Sequence, residues 1–193
     1  MPPKTDWQAF YRNTKDAPPS PLLVKALAFV KRKGKAIDIG GGALKDTRYL
    51  LGQGFGVTVI DREGALADMA AALDSPQLRY NVTSFADFDF PEGKYDLASA
   101  MYALPFNPPE TFDAVFENIK KSLAKDGIFC GNCFGVRDQW AANPKMTFHE
   151  KGHVERLLAD MEIVSLEERE WDGKTADGAP KHWHVIEFIA KRP

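Results

Sequence analysis

Ala36-Ile-Asp-Ile-Gly-Gly-Gly-Ala-Leu44 is the stretch of this 193-residue chain that decides its fold. The apolar, partly β-branched run before the glycines is typical of a short buried strand. Glycine permits a positive φ and lets a ligand approach the backbone. A tight turn without a ligand is the alternative, but three glycines carry an entropic cost that a simple turn does not require. A helical stripe follows, and Gly52 and Gly54 end it.

A second predicted strand, residues 55–60, ends at an acidic residue, Asp61. Ligands of open α/β sheets bind beyond the carboxyl ends of the strands, and an acid at the end of the second strand can accept hydrogen bonds from ribose hydroxyls. The order strand, glycine turn, helix, strand and acid therefore predicts a crevice that binds a nucleoside.

Two common nucleotide-binding patterns do not fit the glycine turn. The dinucleotide fingerprint G-x-G-x-x-G requires a third glycine where Lys45 stands, and the P-loop pattern requires Gly-Lys-Ser/Thr after the turn. What remains is D-x-G-x-G, with Asp38 two residues before Gly40. A carboxylate at that point suits a ligand with a cationic end better than a pyrophosphate.

At this point the chain resembles the class I S-adenosylmethionine (SAM) dependent methyltransferases, whose first motif is an acidic residue followed by G-x-G-x-G. Gly40 and Gly42 match the first two glycines of that motif, and Leu44 stands at the third. The order of the later segments, from Leu22 to the end of the chain, is similar to that of the small tellurite-resistance-type methyltransferases.

The resemblance implies an α/β fold: a Rossmann-like three-layer sandwich with a seven-stranded, mostly parallel sheet and an antiparallel hairpin at one edge. It implies one domain over residues 1–193, in which residues 1–20 cover the site. The cofactor would be SAM, and its product S-adenosylhomocysteine (SAH). The residues implied to bind the cofactor are Asp38, Gly40, Gly42, Asp61, Arg62, Asn81, Val82, Ala100 and Tyr11.

The reaction implied is in-line transfer of a methyl group to a sulfur, nitrogen, oxygen or metalloid atom of a small molecule. Such a transfer needs mainly alignment and desolvation, so the lack of an obvious catalytic dyad does not oppose it. Aromatic residues in the segments near the acceptor could equally be core residues. The expected substrate contacts are Trp7, Tyr102, Phe106, Arg137 and Trp140, with the run His182-Trp183-His184 nearby. Candidates for a catalytic group are Tyr11, Tyr102, His149 and His184.

Composition limits the partners that we expect. The 25 basic and 27 acidic residues give a formal net charge of -2, which offers no electrostatic case for nucleic acid or an anionic membrane. No run approaches the ~18 apolar residues of a membrane span, and the first residues lack the apolar core of a signal peptide. With two cysteines, a reducing cytoplasm is the simplest location. We expect a monomer or homodimer that binds a small-molecule acceptor.

The remaining pattern predicts helices that alternate with strands and then a closing antiparallel pair. Pro at the start and basic residues at the end favour a helix over residues 21–32. Apolar residues on one face favour another over residues 109–124. Further helices are expected over residues 63–74 and 147–160, and the closing strands over residues 162–170 and 182–191.

His149-Glu-Lys-Gly-His153 matches the zincin pattern H-E-x-x-H, in which two histidines one helical turn apart bind zinc. The alternative is an ordinary helix, because Thr147 and Glu150 fit a capping box. Gly152 would weaken a zinc-binding helix by about 1 kcal/mol relative to alanine. We therefore expect no metal, and a zinc hydrolase remains a minor alternative function.

Two further short motifs have ordinary structural interpretations. Cys130-Gly-Asn-Cys133 has the C-x-x-C spacing of redox and metal sites, which remains an alternative, but it lies on or just after a predicted strand, where alternation points the two thiols in opposite directions. Asn107-Pro-Pro-Glu110 resembles the Asn-Pro-Pro-aromatic motif of DNA amino-methyltransferases, but Glu110 replaces the aromatic residue that would stack on a flipped base. An N-cap at Asn107 is the favoured interpretation.

The sequence thus favours SAM-dependent methyl transfer to a small molecule. The main alternative is a SAM-binding or SAM-sensing module without catalysis, which would need a blocked acceptor pocket. The sequence does not name the acceptor.

Overall fold

The computed structural model describes residues 13–64 and 67–193 of the chain. The α-helices that lie wholly in this part are α1 Pro21–Leu27, α2 Lys45–Gly52, α3 Ala67–Ala72, α4 Pro109–Ser122 and α5 Lys151–Leu157. The eight strands are β1 Lys35–Ile39, β2 Gly56–Asp61, β3 Leu78–Val82, β4 Tyr95–Ala100, β5 Leu123–Gly135, β6 Phe148–His149, β7 Glu162–Lys174 and β8 Pro180–Lys191. A short 3-10 helix, Leu104–Phe106, follows β4.

The strands of the described residues form a single sheet. Seven of them follow the order β3-β2-β1-β4-β5-β8-β7, and the two-residue strand β6 pairs with the end of β5. Strands β1 to β5 are parallel, whereas β8 is antiparallel to both β5 and β7. The predicted mostly parallel sheet with an antiparallel hairpin at one edge is confirmed.

Helices cover both faces of the sheet, so the fold has three layers. On one face, α4 and α5 contribute Phe116, Ile119 and Val154 to a core with Phe129 and Cys133 of β5. The core on the other face contains Leu23 of α1 and Leu50 of α2, together with Cys130. The two thiols lie on opposite faces, as strand alternation predicts.

Burial makes both thiols poor nucleophiles. Cys130 and Cys133 are free and buried. Burial raises the pKa of Cys130 well above that of a free thiol, and it raises the pKa of Cys133 to about 12. Neither thiol therefore carries the thiolate that redox chemistry requires near neutral pH.

Helix α1 is shorter than the predicted helix over residues 21–32. The amides of Ala28, Phe29 and Val30 donate to carbonyls three residues earlier, at distances of 3.3, 3.0 and 3.2 Å. This tighter turn ends the α-helix before Lys31 and Arg32. The closing hairpin is longer than predicted, because its pairing continues to Lys174 and Pro180.

The predicted capping box at Thr147 is wrong. The Thr147 hydroxyl donates to the Asn107 carbonyl at 2.7 Å, and its amide donates to the Pro105 carbonyl at 2.9 Å. These bonds hold residues 148–149 as strand β6, and α5 begins only after the N-cap residue Glu150.

The N-cap predicted at Asn107 is also wrong, because Pro108 takes that position before α4. The Asn107 side chain instead donates to the Thr111 hydroxyl at 3.1 Å.

Within the described ranges, none of the helices has the length and apolar composition needed to cross a membrane.

Candidate functional site

A cavity of about 1030 Å³ opens at the carboxyl edge of the parallel strands. Typical ligand pockets measure about 300–1,000 Å³, so it can hold a nucleoside and a second small molecule. Its walls come from the glycine turn after β1, the end of β2, the segments after β4 and β5, and the β7–β8 hairpin. Thr14 and residues 17–21, which precede and open α1, also line it, as do Ser84 and Phe85 after β3.

The glycine turn brings backbone close to the cavity. Gly40 and Gly42 have φ values of 73° and 51°, a region that favours glycine. The Gly40 amide donates to the Ile60 carbonyl at 2.8 Å, which joins the turn to β2. A Cβ on Gly40 would stand 2.5 Å from that of Ala103, so this position has no room for a side chain.

Asp61 ties the end of β2 to the glycine turn. One carboxylate oxygen accepts the Gly42 amide at 3.0 Å, and the other accepts the Glu63 amide at 3.0 Å. Asp61 is partly exposed and lines the cavity. Its carboxylate retains lone pairs for further donors, as a ribose diol would supply.

Asp38 is a buried carboxyl group at the floor of the cavity. It accepts a hydrogen bond of 2.6 Å from the Thr47 hydroxyl and is 2% exposed. Burial is the main cause that raises its pKa to about 7, and the nearby Asp46 carboxylate adds to the shift. Asp38 therefore changes charge near neutral pH, where a cationic group of a ligand would favour its ionised form.

The segment before α1 is fastened across the cavity mouth. The Ser20 amide and hydroxyl each donate to Asp46 of α2 at 2.7 Å, and the Lys45 ammonium donates to the Ser20 hydroxyl at 2.6 Å. At the other end, the Asn13 side chain donates to the Ala176 carbonyl in the hairpin loop at 2.8 Å. The segment thus runs from α2, the helix that follows the glycine turn, to the β7–β8 hairpin.

The end of the cavity away from Asp61 is built from aromatic side chains, which we call the aromatic wall. They come from the segment after β4, from the end of β5 and the loop that follows it, from β7 and from the start of β8, which lies at the same edge because β8 is antiparallel. The wall consists of Tyr102, Phe106, Phe134, Trp140, Trp171 and Trp183.

Tyr102 is held in an unusual backbone conformation at this wall. Its φ is 53°, which is uncommon for a residue other than glycine, and its amide donates to the Asn132 side chain at 2.6 Å. Burial raises the pKa of the Tyr102 phenol. The hydroxyl therefore stays protonated at neutral pH and can donate a hydrogen bond to a ligand.

Comparison with protein-family models finds a match to the methyltransferase domain over residues 36–127, from β1 into the start of β5. Residues 36–127 therefore form a methyltransferase domain. The resemblance drawn from the D-x-G-x-G turn is confirmed. No curated protein sequence matches the chain significantly.

The methyltransferase fold is shared with solved structures. TehB from Haemophilus influenzae superposes with a TM-score of 0.75 and 16% identity, over 89% of this chain and 61% of TehB. This chain therefore spans about three fifths of the length of TehB. NodS from Bradyrhizobium japonicum WM9, an N-methyltransferase in complex with SAH, gives a TM-score of 0.69 and 18% identity, over 97% and 98% of the two chains.

A third neighbour is the 1,6-didemethyltoxoflavin-N1-methyltransferase of Burkholderia thailandensis. It superposes with a TM-score of 0.69 and 21% identity, over 97% of this chain and 79% of its own. At these identities, the likeness establishes the fold of the methyltransferase domain.

The cavity of the methyltransferase domain brings together about half of the site residues expected from the sequence. Those that line it are Asp38, Gly40, Gly42, Asp61, Arg62, Tyr102, Phe106, Trp140 and Trp183. The expected residues in the described ranges that are not part of the lining are Asn81, Val82, Ala100, Arg137, His149, His182 and His184. Trp7 and Tyr11 lie outside the described residues.

His184 and Arg137 lie behind the aromatic wall. The His184 ring is fully buried, and its Nδ1 accepts the Arg137 amide at 3.0 Å. Its Nε2 lies 2.7 Å from a Glu168 carboxylate oxygen, which assigns the proton to Nε2. The Arg137 guanidinium binds Glu168 and Glu170 on the outer side of the hairpin. Both residues therefore stabilise the hairpin.

His149 lies in β6, so it does not share a helix with His153. Its ring packs on Phe112 at 4.4 Å and stacks on the His153 ring at 4.6 Å. Burial, and then the neighbouring His153, lower the pKa of His149 to about 4. Among the described residues, no group of three His, Cys, Asp or Glu side chains could hold a metal ion.

Several lining residues have no signal in a single sequence. Ser20 and Asp46 act through a contact between α2 and the segment before α1, and Phe134 reads as an ordinary core residue of β5. Their place at the cavity follows from the packing of the elements.

Proposed function

We propose that the protein transfers the methyl group of SAM to a small-molecule acceptor that binds against the aromatic wall. The observation that carries this proposal is one continuous cavity, in which the glycine turn and Asp61 line one end and the aromatic wall the other. A cofactor held at the first end would direct its reactive group toward a molecule at the second.

The residues at the glycine turn fit SAM. The turn exposes backbone without side chains, and the Asp61 carboxylate has acceptor capacity left for the ribose hydroxyls. Asp38 offers a buried carboxyl group for the cationic end of the ligand. When bound, SAM would supply a methyl group activated by the sulfonium.

The protein's own contribution would be alignment and exclusion of water. The segment across the cavity mouth, fixed at Asn13 and Ser20, supports our proposal that residues 1–20 cover the site. Closing a site strengthens electrostatic interactions inside it and removes competing water. Of the four catalytic candidates, Tyr102 lines the cavity, and we propose that its hydroxyl orients the acceptor.

The remaining cofactor candidates stay proposals. Arg62 lines the cavity beside Asp61, whereas Asn81 and Val82 at the end of β3 and Ala100 at the end of β4 lie next to the lining. They could contact the adenine end once a ligand is bound. A monomer or homodimer in the reducing cytoplasm stays our expectation.

An acceptor nitrogen has some support from the neighbours, because NodS and the Burkholderia enzyme are both named N-methyltransferases. A sulfur, oxygen or metalloid atom remains open. The SAM-sensing alternative requires a blocked acceptor pocket, and the open space beside the aromatic wall favours turnover instead.

Measurement of the SAH that forms from SAM tests the proposal. The purified protein would be incubated with SAM and with thiols, amines, phenols and metalloid anions in turn, and SAH would be measured by mass spectrometry. We expect acceptor-dependent SAH formation for at least one class, and its loss in Asp61→Ala. Tight SAM binding without SAH formation from any acceptor would support the sensing module.

A further inference from the structure

We propose that the methyl acceptor is a planar aromatic or heteroaromatic molecule without net negative charge, which stacks on the aromatic wall. This inference rests on the proposed methyl transfer and names the acceptor class for the same cavity.

The aromatic wall is a continuous network of ring contacts. Phe134 lies at its centre, with ring centroids 5.6 Å from Trp183, 6.1 Å from Trp140 and 6.2 Å from Tyr102. The Trp171 ring stacks on Trp183 at 6.0 Å with an interplanar angle of 13°. Rings packed in this way are rigid and present flat faces and edges, which suit offset or edge-to-face contacts with another ring.

The wall is only partly covered by protein. Tyr102 is 38% exposed and Trp171 is 36% exposed, which is high for large aromatic side chains that line a cavity. Stacking of a ligand ring would bury this surface, and aromatic pairs contribute beyond the area that they bury.

A buried ammonium group fixes the rings from behind. Lys181 is 2% exposed and is not part of the cavity lining. Its Nζ lies 3.6 Å from the centroid of the Trp183 ring, 4.3 Å from that of Trp140 and 4.7 Å from that of Phe134. The cage of these rings is therefore already occupied by the protein's own cation, so a cationic acceptor has no empty cage to enter here.

The charge of Lys181 is neutralised inside the protein. Both oxygens of Asp138 accept from its Nζ, at 2.7 and 2.5 Å. Asp138 also accepts the backbone amides of Trp140 and His184 at 2.9 and 3.2 Å. This pair joins the loop after β5 to β8 and holds the wall in one shape without presenting net charge to the cavity.

The charged groups that line the described part of the cavity disfavour an anionic acceptor. Five are acidic and three are basic: Asp38, Asp46, Asp61, Glu63 and Asp177 against Lys45, Arg62 and Lys174. Lys45 is committed to Asp46 at 3.2 Å. At the β7–β8 hairpin, which carries Trp171 and Trp183, the charged lining residues are Lys174 and Asp177, one basic and one acidic, so this end offers an oxyanion no net positive charge, whereas a neutral ring would meet the apolar wall.

Binding of two matched neutral probes tests the inference. Calorimetry would compare 2-naphthol with decahydro-2-naphthol, which carries the same hydroxyl on a saturated frame of similar size, using protein with and without SAH. Sodium selenite would serve as the anionic probe. We expect 2-naphthol to bind at least about tenfold more tightly than the saturated probe, and selenite to bind least.

Substitutions in the wall locate the preference. We expect Trp140→Leu to remove most of the preference for 2-naphthol over the saturated probe. Trp140→Phe, which keeps a ring, should retain that preference. Phe29→Leu, at an exposed aromatic residue outside the cavity lining, is the matched control and should change nothing. If Trp140→Leu lowers the melting temperature, Trp171→Leu at the exposed edge of the wall provides the same comparison.

Equal binding of the two naphthol probes, or a preference that survives in both leucine variants, would overturn the inference. Tighter binding of selenite would do so as well. SAH binding, measured in the same calorimeter, tests the proposed function separately. The comparison of the two naphthol probes without SAH reports only on the aromatic wall. SAH binding without a ring preference would thus contradict the acceptor class and leave the proposed function standing.

Discussion

Leu44 departs from the family motif in its side chain but keeps the backbone conformation of the turn. It stands where the family motif has its third glycine, and it adopts a φ of 61°. The left-handed conformation costs roughly 1–2 kcal/mol for a residue with a side chain. Leu44 is fully buried against Val59 and Ala70, and burial of a leucine contributes about 1.5–3 kcal/mol. The burial offsets the strain, so the turn survives without the glycine.

Asp38 should link cofactor binding to pH. Its pKa of about 7 in the folded protein means that the carboxyl group is largely neutral below that value. A cationic ligand favours the carboxylate, so binding must release the proton. We expect SAH affinity to rise as the pH increases through about 7 and to level off above it. Calorimetry in two buffers of different ionisation enthalpy would detect about half a proton released at pH 7.

Asp38→Asn is the matched variant for this prediction, because the amide keeps the shape but does not titrate in this range. Its SAH affinity should be lower and should not change between about pH 6 and pH 8. Proton release that persists in Asp38→Asn, or a wild-type affinity that is flat over this interval, would assign the linkage to another group.

At the scale of elements, the Lys181–Asp138 pair should couple the loop after β5 to β8. Removal of one partner leaves an uncompensated buried charge, which costs about 3–5 kcal/mol, whereas removal of both is far less costly. We expect Lys181→Met and Asp138→Asn each to lower the free energy of unfolding by that amount. The double variant should be clearly more stable than the sum of the two single effects implies.

Urea denaturation of the wild type, the two single variants and the double variant gives the coupling energy directly. Lys25→Met, at an exposed ion pair with Glu167, is a suitable control and should change stability by less than about 1 kcal/mol. Additive effects of the two single substitutions would show that the pair is not the contact that joins these elements.

Local patterns predicted elements well where the decisive contacts are local. The strand Lys35–Ile39 and the helix α4 follow from local apolar patterns, although the N-cap of α4 lies one residue later than predicted. The capping box failed because the Thr147 hydroxyl bonds to Asn107, 40 residues earlier in the chain. A motif of four residues contains no information about such a distant partner.

At the scale of the whole molecule, the sheet and one half of the site could be predicted from the sequence. Parallel strands place their carboxyl ends at one edge, so Gly40 and Asp61 had to meet there. The register of the hairpin could not be derived, and it decides that Trp183 faces the cavity while His184 lies buried behind it. The sequence suggested a role in the site for a histidine or an arginine because of the chemistry of these side chains. Only the pairing of β7 with β8 shows that these side chains stabilise the hairpin instead.

The account depends most on whether the cavity binds SAM at the glycine turn and Asp61. Calorimetric titration with SAM and SAH, with NADH as the control ligand, tests this directly. The titration would be repeated with Asp61→Ala and, as the matched control, with Asp68→Ala at an exposed residue of α3. We expect micromolar binding of SAM and SAH to the wild type and to Asp68→Ala, none of NADH, and at least about tenfold weaker binding to a folded Asp61→Ala. Undiminished affinity in Asp61→Ala, or no binding of either ligand to the wild type, would contradict the central claim.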